Sequence, residues 1–291
     1  MDSIKLKANA KLNLFLDITG KRDDGYHELE SVMISVGVFD TLTFEKTSGS
    51  GITIVCNKPG FPLDESNIIH KAAGALLKKH GLEGSAGLKV TVEKNIPSQA
   101  GMGGGSADGA AALIAVNRLF ELGLDDDELI STGALIGADV PFCIKGGCLE
   151  CRGIGEKLEN TGLEKVLHFA VIKPAAAIST PRAYKDYDTL KAPVHKSIAD
   201  MADALGRNDE MLIAKRLFNA FEQTIRVKEI DEAKEMLLSA GAHGAMMTGS
   251  GSAVFGLFES EKAAQAAYEK AKEKGFEVFI CDSTDEGTEL I

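Results

Sequence analysis

The sequence predicts an α+β fold in two domains, and three observations support this prediction. The chain has 291 residues, whereas one domain usually holds roughly 100–200. Its composition, with 44% apolar and 26% charged residues, is that of a globular protein. Strand and helix patterns follow one another along the chain, and their rhythm changes in a glycine-containing stretch near residue 158. We therefore expect one domain over residues 1–158 and a second over residues 159–291.

Charge and cysteine content exclude several classes of protein. Lys and Arg number 32 and Asp and Glu number 43, so the formal net charge is −11. The sequence has no cluster of Lys and Arg residues that could bind a nucleic-acid backbone. No segment has the roughly 18 consecutive apolar residues of a membrane span. The five cysteines are irregularly spaced, and we expect Cys148 and Cys151 to be ordinary thiols rather than a metal or redox pair. These features predict a cytoplasmic protein that binds neither a nucleic acid polymer nor a membrane.

The first half of the chain combines strand and helix patterns. Apolar and polar residues alternate from Ile4 to Leu16, which predicts a strand with one buried face and a bend near Ala8–Asn9. Lys11 and Asn13 share the opposite, polar face. The further predictions are strands at 31–36, 41–46, 52–56 and 88–93, helices at 67–80, 104–122 and 126–136, and two short strands within 142–152.

The second half of the chain has a different order of elements. Its patterns predict strands at 166–173, 244–249, 252–258 and 276–281, with helices at 229–239 and 261–274. Apart from additional helices, the order is β-α-β-β-α-β, which is typical of a ferredoxin-like domain.

A glycine-rich loop at 96–108 joins a predicted strand to a predicted helix and is the strongest local signal. Its backbone N–H groups and the helix N-terminus favour a bound phosphate, and glycines let the phosphate oxygens approach. The glycines are not followed by the lysine of a P-loop. Ser106 stands where the dinucleotide fingerprint requires its third glycine. The alternative to a phosphate site is a flexible surface turn.

This loop resembles the phosphate loop of the GHMP small-molecule kinases. Residues 97–106 follow the family pattern Pro-x-x-x-Gly-Leu-Gly-(Ser/Gly)-(Ser/Gly)-Ser, with Met102 in place of the usual leucine. Within the family, the Gly25-Tyr26-His27 tripeptide is most specific for the branch that acts on a cytidine diphosphate-linked methylerythritol. The motifs of that branch occur in order at 10–14, 25–29, 67–69, 137–141, 179–184 and 248–252, so the resemblance extends from about residue 4 to residue 282.

The resemblance implies both a fold and an activity. The expected fold is the two-domain GHMP kinase fold, with an N-terminal domain like ribosomal protein S5 and a ferredoxin-like C-terminal domain. The expected activity is ATP-dependent phosphorylation of the 2-hydroxyl of the cytidyl-methylerythritol substrate, in the non-mevalonate pathway to isoprenoid precursors. Asn9 replaces a common proline and Ala107 a frequent second serine, but neither change removes a group that the chemistry requires.

The resemblance also implies roles in phosphoryl transfer. Asp139 is expected to accept the proton of the substrate hydroxyl, and Lys11 to hold the developing charge of the alkoxide and the γ-phosphate. Mg²⁺ is expected to arrive with ATP and to lie near Ser106, without a carboxylate cage of its own. The residues implied in ATP binding are Asn67, Pro97, Ser98, Gln99, Ala100, Gly101, Met102, Gly103, Gly104, Gly105, Ser106 and Ala107.

Substrate binding is implied in the same way. The cytosine ring is expected to stack between Tyr26 and Tyr184, with His27 reading its polar edge. Asn13 is expected beside the methylerythritol end of the substrate. The backbone of the second domain is a candidate phosphate contact at Gly249, Ser250 and Gly251.

Several alternatives stay open from the sequence. Another GHMP kinase, of the homoserine or mevalonate type, would have no use for Tyr26 and His27. A dinucleotide-dependent oxidoreductase and a kinase-like binding protein without activity represent other classes. Taken singly, Asp139 fits a capping carboxylate, Lys11 an exposed strand lysine, and Asn67 a helix cap.

Overall fold

Strands and helices are both abundant in the computed structural model, which describes residues 2–291. The strands are β1 (Ser3–Lys21), β2 (His27–Thr47), β3 (Gly51–Cys56), β4 (Gly87–Glu93), β5 (Cys148–Gly153), β6 (Lys157–Asn160), β7 (His168–Lys173), β8 (Phe218–Asn219), β9 (Gly244–Met247), β10 (Val254–Phe258), β11 (Glu277–Asp282) and β12 (Thr288–Leu290). The α-helices are α1 (Ile68–Lys79), α2 (Gly104–Leu119), α3 (Asp126–Ile136), α4 (Val140–Lys145), α5 (Thr180–Tyr187), α6 (Ile198–Gly206), α7 (Glu210–Arg216), α8 (Lys228–Ser239) and α9 (Glu261–Glu273). A short 3₁₀-helix, Ala220–Gln223, follows β8.

The first sheet is built around a long antiparallel hairpin of β1 and β2. Its main strand order is β12-β1-β2-β4-β3, and β5, β6 and β8 attach beside this path. Register shifts between Asn9 and Ala10, and between Asn13 and Phe15, interrupt the regular pairing of β1. The predicted irregularity near Ala8–Asn9 is therefore present. The last strand of the chain, β12, pairs with β1 and returns the chain to the first sheet.

From Ala8 to Ile18 strand β1 is buried on both faces, so the prediction of a single buried face was wrong for this part and right for the alternating residues 3–7. Lys11 and Asn13 retain 4% and 2% of their exposure, respectively. The Lys11 amide donates a hydrogen bond to the Met102 carbonyl oxygen at 3.0 Å, and the Asn13 amide donates to Thr248 Oγ1 at 3.0 Å. The two-residue period reveals a strand and which residues share a face, but it cannot reveal that a loop and a distant turn cover the polar face.

The second sheet has four antiparallel strands in the order β11-β7-β10-β9. Ala170 and Ile172 pack on one face in a cluster with side chains of α8 and α9. Phe169 and Val171 belong to the core that also contains Leu12 of β1. The predicted ferredoxin-like arrangement is confirmed, and its sheet shares a hydrophobic core with the first sheet.

One segment was predicted wrongly. Residues 142–152 were expected to form two short strands, but the chain forms helix α4 and then the single strand β5. Pro141 fits the first turn of α4, where its missing N–H costs nothing. Six residues are too few for a helical period to appear in the sequence.

No helix within residues 2–291 combines the length and apolar character needed to cross a membrane.

Candidate active site

A cleft of about 1230 Å³ brings most of the predicted site residues together. Its walls come from the β1–β2 hairpin, the glycine loop, the start of α4, helix α5 and the turn after β9. Asn67 and Ala107 lie outside this lining. The predicted residues that line the cleft are Lys11, Asn13, Tyr26, His27, Pro97, Ser98, Gln99, Ala100, Gly101, Met102, Gly103, Gly104, Gly105, Ser106, Asp139, Tyr184, Gly249, Ser250 and Gly251.

The glycine loop connects β4 to α2 and presents the N-terminus of that helix to the cleft. Gly103 is the N-cap of α2, in a left-handed conformation, and no side chain caps the helix there. The first N–H groups of a helix have no partner inside the helix, so they are free to bind an anion. Ala100 and Met102 are buried and anchor the loop between its glycines. The loop therefore combines a fixed path with unpartnered donors at the cleft.

Position 101 requires glycine, because the backbone of Thr248 packs directly against it. Gly101 has a φ of +74°, and a Cβ there would lie 2.1 Å from the Thr248 carbonyl oxygen. The turn after β9 is further held by two backbone hydrogen bonds, from Ser252 to Gln99 at 3.3 Å and from Ala253 to Ala100 at 3.1 Å. The expectation that the glycines admit phosphate oxygens is thus incomplete, because Gly101 also lets the backbone of the turn after β9 approach the loop.

Lys11 lies at the centre of a buried polar network. Its Nζ donates to Asn13 Oδ1 at 2.6 Å and lies 3.6 Å from Asp139 Oδ2. Asn13 Nδ2 donates to Ser31 Oγ at 2.9 Å, so both ends of the amide are occupied. Lys5 of the same strand is exposed, whereas Lys11 is buried. The interpretation of Lys11 as an exposed strand lysine is therefore wrong.

Asp139 precedes α4 and keeps its carboxylate available. It occupies the N-cap position, but its side chain makes no capping hydrogen bond. The side chain is 34% exposed and lines the cleft beside Lys11. Because capping does not employ the carboxylate, it is positioned to accept a proton from a molecule bound in the cleft.

The aromatic residues lie at one end of the cleft. Tyr26 is exposed at the tip of the β1–β2 hairpin. The His27 ring stacks on the Tyr184 ring, with centroids 4.6 Å apart and planes inclined by 19°. This face of Tyr184 is therefore covered by His27 and is not open for the expected stacking of cytosine between Tyr26 and Tyr184. Phe221 contacts Tyr184 edge to face at 4.9 Å. Burial, and then the charge of Asp139, raise the pKa of the Tyr184 hydroxyl above its usual value, so Tyr184 stays neutral.

The side chain of Asn67 caps the N-terminus of helix α1. Its Oδ1 accepts a hydrogen bond from the Ile69 amide at 2.8 Å, as an N-cap residue does, and its Nδ2 donates to the Pro62 carbonyl oxygen. Pro62 itself lines the cleft. Ala107 is fully buried inside α2. These two residues support the walls of the cleft from behind.

Two contacts of the site were not singled out by the sequence analysis. Thr248 is fully buried, and its Oγ1 lies 3.4 Å from Asn13 Oδ1 and 3.3 Å from the Gly101 carbonyl oxygen. Asp188 accepts from His27 Nε2 at 2.7 Å. Thr248 falls within a motif used for the resemblance, whereas Asp188 falls in no motif.

A buried ion cluster below the glycine loop was also missed. Lys94 Nζ contacts Asp40 Oδ2 and donates to Asp108 Oδ2 at 2.7 Å. Asp40 Oδ1 accepts from the amides of Asn95 and Ile96 at 2.6 and 2.9 Å. The cluster therefore joins the entrance of the loop to helix α2. The partners are 54 and 14 residues apart in sequence, so no local pattern reveals them.

The pKa values of Asp108 and Lys94 in this cluster depart from their usual values. Burial raises the pKa of Asp108 to about 8, although Lys94 opposes this shift and Asp40 adds to it. Asp108 Oδ1 has no hydrogen-bond partner within residues 2–291. Burial lowers the pKa of Lys94, but the two carboxylates outweigh burial and leave it above its usual value. Lys94 is thus a fixed cation between two buried acids.

The remaining titratable groups give no sign of a metal centre. In the part of the chain that the structure describes, no group of three or more His, Cys, Asp or Glu side chains is arranged to hold a metal ion. All five cysteines are free thiols. Burial raises the pKa of Cys148 to about 12 and that of Cys151 further, so both remain protonated.

Comparisons with known proteins agree with this geometry. Residues 67–147 match the GHMP kinases N terminal domain, and residues 189–277 match the GHMP kinases C terminal domain. The 4-diphosphocytidyl-2-C-methyl-D-erythritol kinase of Acetivibrio thermocellus is 40% identical over 283 residues, covering 96% of this chain and 99% of that protein. The kinase of the same name from Clostridium novyi is 41% identical over 276 residues, covering 94% and 98%. The chain belongs to the 4-diphosphocytidyl-2-C-methyl-D-erythritol kinase family, within the GHMP kinases.

Solved structures extend this relation to the fold. A crystal structure of 4-(cytidine 5'-diphospho)-2C-methyl-D-erythritol kinase matches with a TM-score of 0.81 at 30% identity, covering 96% of this chain and 99% of that chain. Homoserine kinase from Cytophaga hutchinsonii matches with a TM-score of 0.79 at 21% identity, covering 100% and 98%. L. major mevalonate kinase matches with a TM-score of 0.80 at 18% identity, covering 97% and 96%. These matches confirm the predicted GHMP kinase fold.

Replacing Gly101 tests why this family member has glycine there. Gly101→Ala is expected to lower the free energy of unfolding by about 2 kcal/mol, because its Cβ would overlap the Thr248 carbonyl oxygen at a positive φ. In Gly105→Ala the new Cβ would meet Ile68 Cγ2 at an ordinary 3.9 Å, so the effect should stay within about 0.5 kcal/mol. Urea denaturation measures both. Equal stability of the two variants would contradict the packing argument.

Replacing Lys94 tests the ion cluster. Lys94→Met leaves two buried carboxyl groups without their cation, so we expect a loss of about 3–5 kcal/mol in unfolding free energy. The matched control is Lys89→Met, which breaks an exposed 3.3 Å pair with Glu45 and should cost about 1 kcal/mol or less. Denaturation of each variant at fixed pH gives the comparison.

The same variant should respond more strongly to pH. A buried acid with a raised pKa folds with its proton bound, so stability falls as pH rises towards that folded pKa. In the wild type this applies to Asp108 between its usual pKa of 3.8 and about 8. Without the charge of Lys94, which opposes the shift, the pKa of Asp108 should rise further, and the loss of stability should be larger at pH 9 than at pH 6. A loss that is the same at both pH values would show that the cluster is not what Lys94 stabilises.

Proposed function

We propose that this chain transfers the γ-phosphoryl group of ATP to the 2-hydroxyl of 4-diphosphocytidyl-2-C-methyl-D-erythritol, in the non-mevalonate isoprenoid pathway. The observation that carries the proposal is the placement of Asp139 beside Lys11 in a cleft that the glycine loop also lines. The near-full-length similarity to kinases with that name supports the choice of substrate.

ATP is placed with its phosphates on the glycine loop. Residues 97–106 line the cleft, and the open N-terminus of α2 offers N–H donors and positive potential. The backbone at Gly249–Gly251 faces the same space and would close it from the second domain. Mg²⁺ bound with ATP would offset phosphate charge, and Ser106 is the hydroxyl on the loop that suits it.

Phosphoryl transfer needs a hydroxyl that loses its proton and a cation that receives the developing charge. Asp139 accepts the hydroxyl proton, because its carboxylate is uncapped and partly exposed to the cleft. Lys11 neutralises charge on the attacking oxygen and the γ-phosphate. Asn13 holds the Lys11 ammonium group through its 2.6 Å hydrogen bond, so the cation is in place before the substrates bind.

The cytidyl group is placed at the aromatic end of the cleft. Tyr26 is exposed and available for stacking, and Tyr184 supports the His27 ring from behind. His27 supplies polar contact with the base.

We infer a cytoplasmic enzyme, because all five cysteines are free thiols, as is usual for proteins of a reducing compartment.

A panel of alcohols tests this proposal. Purified protein is incubated with Mg-ATP and, separately, the cytidyl-methylerythritol substrate, homoserine or mevalonate, while ADP release is followed. We expect turnover with the cytidyl substrate and a product phosphorylated at the 2-position. Folded protein that turns over homoserine or mevalonate instead would contradict the proposed substrate, and absence of any turnover would contradict the proposed activity.

Asp139→Asn tests the general base. The amide keeps the size of the side chain but cannot accept the hydroxyl proton, so kcat should fall by about 10²–10⁴-fold. The KM for ATP should change by less than about threefold, because the glycine loop is intact. Steady-state assays give both constants, and Asp126→Asn on the outer helix α3 is the control. A variant with wild-type kcat would exclude Asp139 as the base.

A further inference from the structure

Three polar side chains meet at the aromatic end of the cleft and have no role in the proposed transfer step. Asp188 Oδ1 lies 2.7 Å from His27 Nε2, and Asp188 Oδ2 lies 2.5 Å from Lys21 Nζ. The His27 side chain is 9% exposed and that of Asp188 is 33% exposed. All three residues line the cleft. Asp188 therefore contacts the ring that the proposed cytidyl group would meet.

Helix α5 holds the His27 ring from two directions. Tyr184 and Asp188 are four residues apart, and the Asp188 amide donates to the Tyr184 carbonyl oxygen at 2.9 Å. Tyr184 supports the face of the imidazole, and Asp188 holds its Nε2 edge. A ring fixed by stacking and by a hydrogen bond has little freedom to rotate, so its remaining polar atom has a defined direction.

The Asp188 contact also determines which ring nitrogen carries hydrogen. The hydrogen bonds from Lys21 and then from His27 hold the pKa of Asp188 below its usual value, so it is a carboxylate that can only accept. His27 Nε2 must therefore donate. In the neutral ring, Nδ1 is then an acceptor, and it has no hydrogen-bond partner within residues 2–291.

We propose that Asp188 is a positioning residue that fixes His27 with an acceptor at Nδ1 and thereby selects a pyrimidine with an amino group at its 4-position. This inference rests on the proposed function, because it requires a pyrimidine at this end of the cleft. Cytosine offers an N4 amino donor, whereas uracil has an O4 acceptor at the same place. An Nδ1 acceptor covered by the base and facing O4 would have no donor to pair with, so the uridyl compound should bind more weakly.

The experiment measures binding of cytidine 5'-diphosphate and uridine 5'-diphosphate by calorimetry, which requires no phosphoryl transfer. The wild type should prefer the cytidine compound by about tenfold or more. Asp188→Ala and Asp188→Leu remove the acceptor and should reduce this preference to about threefold or less. Asp188→Asn can still accept through Oδ1, and Lys21→Met leaves the His27 contact intact, so both should keep most of the preference. Thermal unfolding establishes that each variant is folded.

A kinetic comparison separates positioning from chemistry. With the cytidyl substrate, Asp188→Ala should raise KM by about tenfold and leave kcat within about threefold, because Lys11 and Asp139 are untouched. A folded Asp188→Ala or Asp188→Leu variant with the full wild-type preference would overturn the inference. So would a wild type without preference, or an Asp188→Asn variant that loses it completely.

The outcome also distinguishes this inference from the proposed function. Wild-type turnover of the cytidyl substrate, combined with an unchanged base preference in the Asp188 variants, would overturn the inference alone. A base preference that depends on Asp188, without turnover of the cytidyl substrate, would support the inference and overturn the proposed function.

Discussion

Lys11 carries its ammonium group into the protein interior, where a lone cation would be strongly disfavoured. Asn13 and Asp139 provide the partners that make this burial tolerable, at 2.6 and 3.6 Å from Nζ. Asn13 satisfies the ammonium with a neutral oxygen, and Asp139 supplies the opposite charge while staying open to the cleft. The demand for these partners draws strand β1 and the start of α4 together, and the cleft forms where they meet.

The glycine loop and the second domain are arranged around the same lysine. A Cβ at Gly103 would lie 2.9 Å from Lys11 Cγ, so the loop passes directly over the lysine stem. On the other side, Thr248 Oγ1 accepts a hydrogen bond from the backbone amide of Asn13. Below the loop, Lys94 and its two acids fix both ends of the loop to the first sheet. The glycine loop, the Lys11 ammonium group and the turn after β9 therefore form one connected unit, although they come from distant parts of the chain.

Local sequence patterns were sufficient to predict much of the fold and to single out the residues that lie in recognisable motifs. Helix α1 follows from apolar spacing, and the split β-α-β-β-α-β order revealed the second sheet. The Asn67 cap was only an alternative to the ATP contact that the resemblance implied. The single buried face expected for β1 was wrong from Ala8 to Ile18, because the distant Met102 and Thr248 segments cover Lys11 and Asn13 on the polar face. The site residues implied by the resemblance remain predictions of role, although the cleft gathers most of them.

The contacts that escaped prediction share one physical cause. Asp188 and His27 are 161 residues apart, and Asp40 and Lys94 are 54 apart, so each pair exists only after the chain has folded. A charged residue outside a motif looks like a solvated one in the sequence. Its burial and its partner are tertiary facts that no two-residue or 3.6-residue period encodes.

A crystal structure with a non-hydrolysable ATP analogue and the cytidyl substrate tests the central role of Lys11 and Asp139 most directly. The substrate 2-hydroxyl should lie within about 3.2 Å of an Asp139 carboxylate oxygen, which is the reach of a general base. A γ-phosphate oxygen should lie within hydrogen-bond distance of Lys11 Nζ, with the phosphates on the glycine loop. A complex in which the hydroxyl and the γ-phosphate meet away from this pair would contradict the assignment.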